Sequence, residues 1–161
     1  MQKGDETMKV PRIYLETTMF NYYFDVDRDG HEDTVKMFKA IDAGKYEAYT
    51  SEYAMIELRN AKDPKRSDML ALTEKYRIVI LDIDAESERM TDLYIQNGVI
   101  PANYRIDASH IAVASIHNLD CVLSFNYGHI NKLKTKRMSE IVNLNEGYKG
   151  ITICTPMEVL D

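Results

Sequence analysis

No apolar run in this sequence approaches the roughly 20 residues of a membrane-spanning helix, so a helical membrane protein is set aside at once. Cysteine is scarce: there are only Cys121 and Cys154, with no CxxC pair and no Cys/His spacing of the zinc type, which leaves no scaffold stapled by disulfides or zinc. Both cysteines sit in apolar, strand-like runs, CVLSF and ITIC, and are expected to be buried thiols of a cytoplasmic protein. No Pro/Gly/Ser-rich linker, repeat or low-complexity tract divides the chain. Its 161 residues therefore read as one domain, large enough to bury a core without staples. The opening stretch MQKGDETMKVPR lacks the apolar core and small-residue cleavage site of a secretory signal. It is expected to be a polar lead-in over residues 1–8, with the domain covering 9–161. Net positive charge is missing too: 20 Lys and Arg against 26 Asp and Glu leave -6. That lowers the expectation of nucleic-acid binding, which usually leaves a basic footprint. A cluster of acids built to hold cations would also push the total negative, so charge alone decides neither way.

What the sequence does contain is alternation. Short β-rich runs at RIYL (12–15), YEAYT (46–50), RIVILDI (77–83), CVLSF (121–125) and ITICT (151–155) are separated by helical patterns. Those patterns are HEDTVKMFKAIDAG, SEYAMIELRNA, PKRSDMLALTEKY, DAESERMTDLYIQNG and DASHIAVASIHN. In the first, Val35, Phe38 and Ile41 recur at three-residue steps and Gly44 supplies the stop. In the fourth, Asp84 is a good N-cap and Gly98 ends the helix. Strands alternating with helices predict a three-layer α/β/α sandwich around a parallel sheet of about five strands. Ligands of such sheets bind beyond the carboxyl ends of the strands, which directs attention to the polar residues found there.

Glu16-Thr17-Thr18 follows the first strand. Ser51-Glu52 follows the second and leads into a helix carrying Glu57. Asn126 follows CVLSF, and Asp107 opens the preceding helix, whose Ala108, Ser109, Ala112, Ala114 and Ser115 are small enough for close packing on the sheet. Taken singly, each acid has a plain explanation. Asp107 suits the first turn of a helix, where the dipole contributes roughly 0.3–1 kcal/mol, and Glu16 or Glu57 would serve as an ordinary ion-pair partner. Taken together, four oxygen-bearing side chains from four separated stretches fall at one edge of one sheet. That is the donor set of a hard divalent cation, which can activate water and offset charge on a phosphodiester.

On these residues the sequence resembles the PIN-domain family, in its VapC-like toxin and ribonuclease form. The stretches that carry the likeness are IYLETTMFNYYF, SEYAMIELR, DASHIAVASIHNLDCVLSFNYGHI and ITICTPMEVL. Glu16 takes the place of the family's first acid, with Thr17 as its hydroxyl neighbour. Glu57 takes the second, Asp107 the third and Asn126 the fourth, with Ser124 two residues earlier. Two positions depart from the pattern. Glu16 is a methylene longer than the usual Asp, and Asn126 keeps an oxygen but loses a charge, which disfavours a second metal. The resemblance implies an endoribonuclease that uses Mg2+ or Mn2+, with Glu16, Glu57 and Asp107 as ligands and Asn126 completing the shell. It also implies an RNA substrate, an antitoxin partner and dimerisation. A PIN-like module that docks RNA or a partner without cutting is the alternative.

Other features remain open or are set aside. Asp25-Val-Asp27-Arg-Asp29-Gly30 starts like a calcium loop, but position twelve is Lys36 rather than the bidentate Glu such a loop needs. His110 reads as a core or site-edge histidine, and His129 as a phosphate contact or a strand-end residue. The basic run Lys132, Lys134, Lys136 and Arg137 either grips an RNA backbone or ends a solvated helix. The tyrosines either stack on unpaired bases or pack half-buried with a wet hydroxyl, and Tyr127 is singled out because it adjoins Asn126.

Overall fold

Parallel strands are buried on both faces, so they must be apolar on both. The first strand, β1 (Arg12–Leu15), meets this requirement with Ile13, Tyr14 and Leu15 all fully buried. The computed structural model describes residues 9–160, so the lead-in expected over residues 1–8 lies outside the described residues. The sheet also contains β2 (Glu47–Ser51), β3 (Val79–Leu81), β4 (Cys121–Leu123) and β5 (Thr152–Cys154). All pairings are parallel and the order is β3-β2-β1-β4-β5. Order reverses at β1, which puts the switch point, and the crevice beyond it, between β1 and β4.

The side-chain alternation of a strand divides the core into two. Ile13, Leu15, Cys121 and Leu123 face one helical layer. That layer includes α1 (Thr17–Phe24), α2 (His31–Asp42), α3 (Glu52–Arg59) and α4 (Lys65–Lys75). Tyr14, Val122 and Ile153 face the other. There lie α5 (Ala85–Gln96), α6 (Arg105–Ile116) and α7 (Leu133–Asn145). A short α8 (Pro156–Val159) closes the described chain. The three-layer α/β/α sandwich read from the sequence is therefore the observed fold.

Local signals placed most boundaries. Asp84 Oδ1 accepts the Ser87 amide at 2.8 Å while Ser87 Oγ accepts that of Asp84 at 3.1 Å, a reciprocal cap on α5. Gly44 and Gly98 adopt φ of 80° and 74° just past α2 and α5, conformations that cost a side chain little only in glycine. Helix α6 is buried along nearly its whole length, Asp107 to Ser115, which its small residues permit. Strands β3, β4 and β5 are shorter than their runs suggest, at three residues each.

Among the described residues, three α-helices went unread. TTMFNYYF is rich in aromatic residues that favour strands, yet it forms α1. Helix α7 exposes Leu133, Ile141 and Leu144, so its apolar spacing does not mark a buried face. The four-residue α8 is too short for periodicity to register. The cysteines are free and buried, as expected. Among the described residues, no helix is long and apolar enough to cross a membrane.

Candidate active site

The Glu16 amide donates to Leu123 O at 3.1 Å, which sets the end of β1 beside the Ser124-Phe125-Asn126 segment leaving β4. Glu16 is only 2 % exposed. Its Oε1 accepts Ser124 Oγ at 2.6 Å, Thr18 Oγ1 at 2.6 Å and the Thr18 amide at 3.3 Å. Burial pushes this carboxyl above its ordinary pKa; the His110 charge and the two hydroxyls pull the other way without cancelling it. The longer Glu is accommodated here by hydroxyls that reach its carboxylate from both flanks.

Glu57 approaches from α3 and is half-buried. Its Oε1 accepts Thr17 Oγ1 at 2.5 Å and lies 2.6 Å from His110 Nε2. Burial would raise this carboxyl, but the His110 bond and charge overcome it, and the pKa falls below the usual value. His110, fully buried on α6, has Nδ1 2.6 Å from Tyr14 Oη, which is itself 2.6 Å from Ser51 Oγ. Burial alone would lower the imidazole pKa, yet Glu57, Glu16 and Asp107 bring it to a net rise. Glu16, Glu57 and His110 each offer one potential ligand atom, all within 4.8 Å of one another.

Asp107 is in the first turn of α6, only 7 % exposed. Burial raises its carboxyl, with Glu57 adding to the rise and His110, His129 and the Asn126 amide opposing it. It senses the same groups but stands outside the set of three. Asn126 does more for the loop than for any ligand: its Oδ1 accepts the His129 amide at 3.0 Å, and its carbonyl accepts that of Asn131 at 2.7 Å. Of the supporting residues read from sequence, Thr17 holds Glu57 and Ser124 holds Glu16. His129 stacks on Tyr104 with centroids 3.7 Å apart. The basic run opens α7, with Lys132 as its N-cap, and Thr135 Oγ1 donates to His129 O at 2.5 Å, tying that helix end to the site loop.

Sequence reasoning placed Thr18 and Ser51 at strand ends without giving them a role, and it missed Tyr14 and the engagement of His110. For His110 there was a signal: it stands three residues after Asp107 on the same helical face. Tyr14 gave none, since it lies within a strand whose neighbours in space lie far along the chain.

The donor chemistry fits a hard cation of the Mg2+ or Mn2+ type. Among the described residues, every hydrogen bond to Glu16 and to Glu57 falls on Oε1, leaving the second oxygen of each carboxylate unengaged, and Asp107 is close enough for the Glu57 charge to raise its carboxyl. Carboxylates crowded and buried in this way repel one another until a cation relieves them. A cleft of about 640 Å³ elsewhere, against β4 and β5 and lined by Lys136, Glu140 and Cys154, gathers no comparable set.

Among solved structures the chain is similar to the VapC20 toxin of Mycobacterium tuberculosis, described as Sarcin-Ricin loop cleaving, at 13% identity and TM-score 0.56. That match covers 73% of this chain and 92% of the other. It is similar also to VapBC2 of Rickettsia felis, bound to a DNA fragment from their promoter, at 13% identity and TM-score 0.54, over 88% of this chain and 96% of the other. Likenesses at that identity speak to fold alone. No curated protein matches. The family profile described as the PIN domain matches residues 13–134, a span that contains Glu16, Glu57, Asp107 and Asn126. The chain belongs to the PIN domain family.

Proposed function

We propose that this protein is a metal-dependent endoribonuclease acting as the toxin of a toxin–antitoxin pair, with Mg2+ or Mn2+ held by Glu16, Glu57 and Asp107. The observation that carries this reading is the convergence of two hydroxyl-braced carboxylates, Glu16 and Glu57, with Asp107 at the carboxyl edge of the sheet. Family membership supports RNA phosphodiesters as the substrate; the role of a cleaving toxin is taken from the description of VapC20, and an antitoxin partner belongs to the same reading. Homodimerisation and a cytoplasmic setting belong to the same reading.

A bound divalent cation would supply water activation and charge neutralisation at the scissile phosphate. The chain's own residues do the positioning. Ser124 and Thr18 fix Glu16, Thr17 fixes Glu57, and Asn126 shapes the turn that sets His129 beside Tyr104. Lys132, Lys134, Lys136 and Arg137 gather at the start of α7, where the helix dipole is already positive. Cations there weaken the helix unless an anion approaches, which supports a role in gripping RNA phosphates. Exposed Tyr127 and the Tyr104–His129 stack offer faces for unpaired bases.

One observation favours a second reading, a PIN-like module that binds RNA or a partner without cutting. The fourth acid is replaced by Asn126, and its Oδ1 is already taken by the His129 amide. Calorimetric Mn2+ titration of the parent and Asp107→Asn, paired with an RNA cleavage assay, separates the two. Binding and cleavage by the parent that are lost in a folded variant support the nuclease. Cleavage retained by Asp107→Asn, or no Mn2+ binding by the parent up to millimolar metal, overturns it.

A further inference from the structure

The three groups nearest one another in the site are Glu16, Glu57 and His110, and by residue type each could be a cation ligand. The hydrogen bonds argue against that role for His110. Its Nε2 lies 2.6 Å from Glu57 Oε1, an oxygen that already accepts Thr17 Oγ1 at 2.5 Å. A carboxylate oxygen only accepts, so an approach of that length needs the proton on Nε2.

The other face of the ring is engaged as well. Nδ1 lies 2.6 Å from Tyr14 Oη, and Tyr14 Oη lies 2.6 Å from Ser51 Oγ, with all three residues fully buried. A neutral ring takes a bond from Tyr14, which takes one from Ser51. A charged ring donates to Tyr14, which donates to Ser51. The hydroxyl chain reverses to suit either state, and in both Nε2 keeps its proton. A protonated ring nitrogen has no lone pair left for a cation.

From this we infer that His110 is a positioning residue: locked by Tyr14 and Ser51, it delivers its Nε2 proton to Glu57 and fixes that carboxylate without ligating the ion. This rests on the metal-site reading above. The ion is then left with oxygen donors from Glu16, Glu57 and Asp107, the set a hard cation prefers.

Three measurements on the full chain test the assignment. Long-range proton–nitrogen correlation of the metal-free protein, labelled at histidine, should show His110 protonated on Nε2 near neutral pH; a ring protonated on Nδ1 alone overturns the proposal. Pulsed electron paramagnetic resonance of the Mn2+-loaded protein should show no directly coordinated nitrogen, and a strong histidine coupling overturns it. In Mn2+ calorimetry, His110→Ala should weaken binding about 10- to 100-fold, as the removal of an outer-shell partner does. His110→Gln, whose amide N–H can occupy the Nε2 position, should recover most of that affinity, and Tyr14→Phe should weaken binding less than His110→Ala. Equal weakening in the Ala and Gln variants overturns the proposal. Failure of the parent to bind Mn2+ would overturn the nuclease reading instead, while the spectrum of the metal-free protein still decides where the His110 proton sits.

Discussion

Ser124 shows how much a single hydroxyl does at this sheet edge. It donates to Glu16 Oε1 at 2.6 Å and accepts the Asn126 amide at 2.9 Å, so it braces one carboxylate and starts the turn carrying the fourth site position. Ser124→Ala removes a partner from a fully buried pair and should cost about 1–3 kcal/mol, read as a lower urea midpoint, together with weaker Mn2+ binding. Glu86 gives a pH test away from the site. Arg89 meets both its oxygens at 2.8 Å, and with the Tyr148 hydroxyl holds its pKa down to about 2. A depressed carboxyl stabilises the fold above its unfolded pKa of about 4.3. That gain is lost as pH falls through the folded value. The pair is largely solvated, so Glu86→Gln should lower stability by less than about 1 kcal/mol at neutral pH. The gap between parent and variant should close in urea titrations run toward pH of about 2.

At the scale of elements, the approach to α2 is the tightest fit. Gly30 caps that helix with φ of 99°, and a Cβ there would stand 2.7 Å from Phe125, whose ring stacks on Tyr22 with centroids 4.1 Å apart. Gly30→Ala therefore combines a left-handed backbone with overpacking. It should destabilise by roughly 1–3 kcal/mol, seen as a lower thermal midpoint by circular dichroism. Asp84→Ala, which removes the reciprocal cap of α5, should cost about 1 kcal/mol in the same assay. The sequence announced that cap because a cap is an arrangement between residues close in the chain. It did not announce α1, because Tyr22, Tyr23 and Phe24 favour strands by themselves, and their aromatic partners Phe125, Phe38 and Tyr76 lie far along the chain. Nor did it announce α7, whose Leu133, Ile141 and Leu144 point outward.

Over the whole molecule, a net charge of -6 and a local run of four basic residues call for different experiments. If the start of α7 grips RNA, replacing Lys132, Lys134 and Arg137 by Glu should weaken RNA binding. It should also flatten the dependence of log affinity on log salt by roughly 0.7 for each phosphate no longer neutralised. Mn2+ binding should be unaffected, since these residues touch neither Glu16, Glu57 nor Asp107. An unchanged salt slope would return the run to the solvated helix end that the sequence also allowed.

The sequence by itself determined the α/β layering, the positions of the strands within a few residues, and which residues would stand at their carboxyl ends. Periodicity and caps are set by residues close in the chain, so Glu16, Glu57, Asp107 and Asn126 were legible as candidates before any coordinates. Only the tertiary structure decided what those residues do to one another. Asn126 commits its oxygen to a turn, and among the described residues Glu16 and Glu57 each have one oxygen tied and the other unengaged. His110 joins the site through Tyr14, 96 positions before it, and Glu57, 53 positions before it. Pairings at such separations depend on the β1–β4 crossing and on the docking of α3 against α6. Hydrogen-bond direction is fixed only once donors and acceptors face each other in space, which no local pattern encodes.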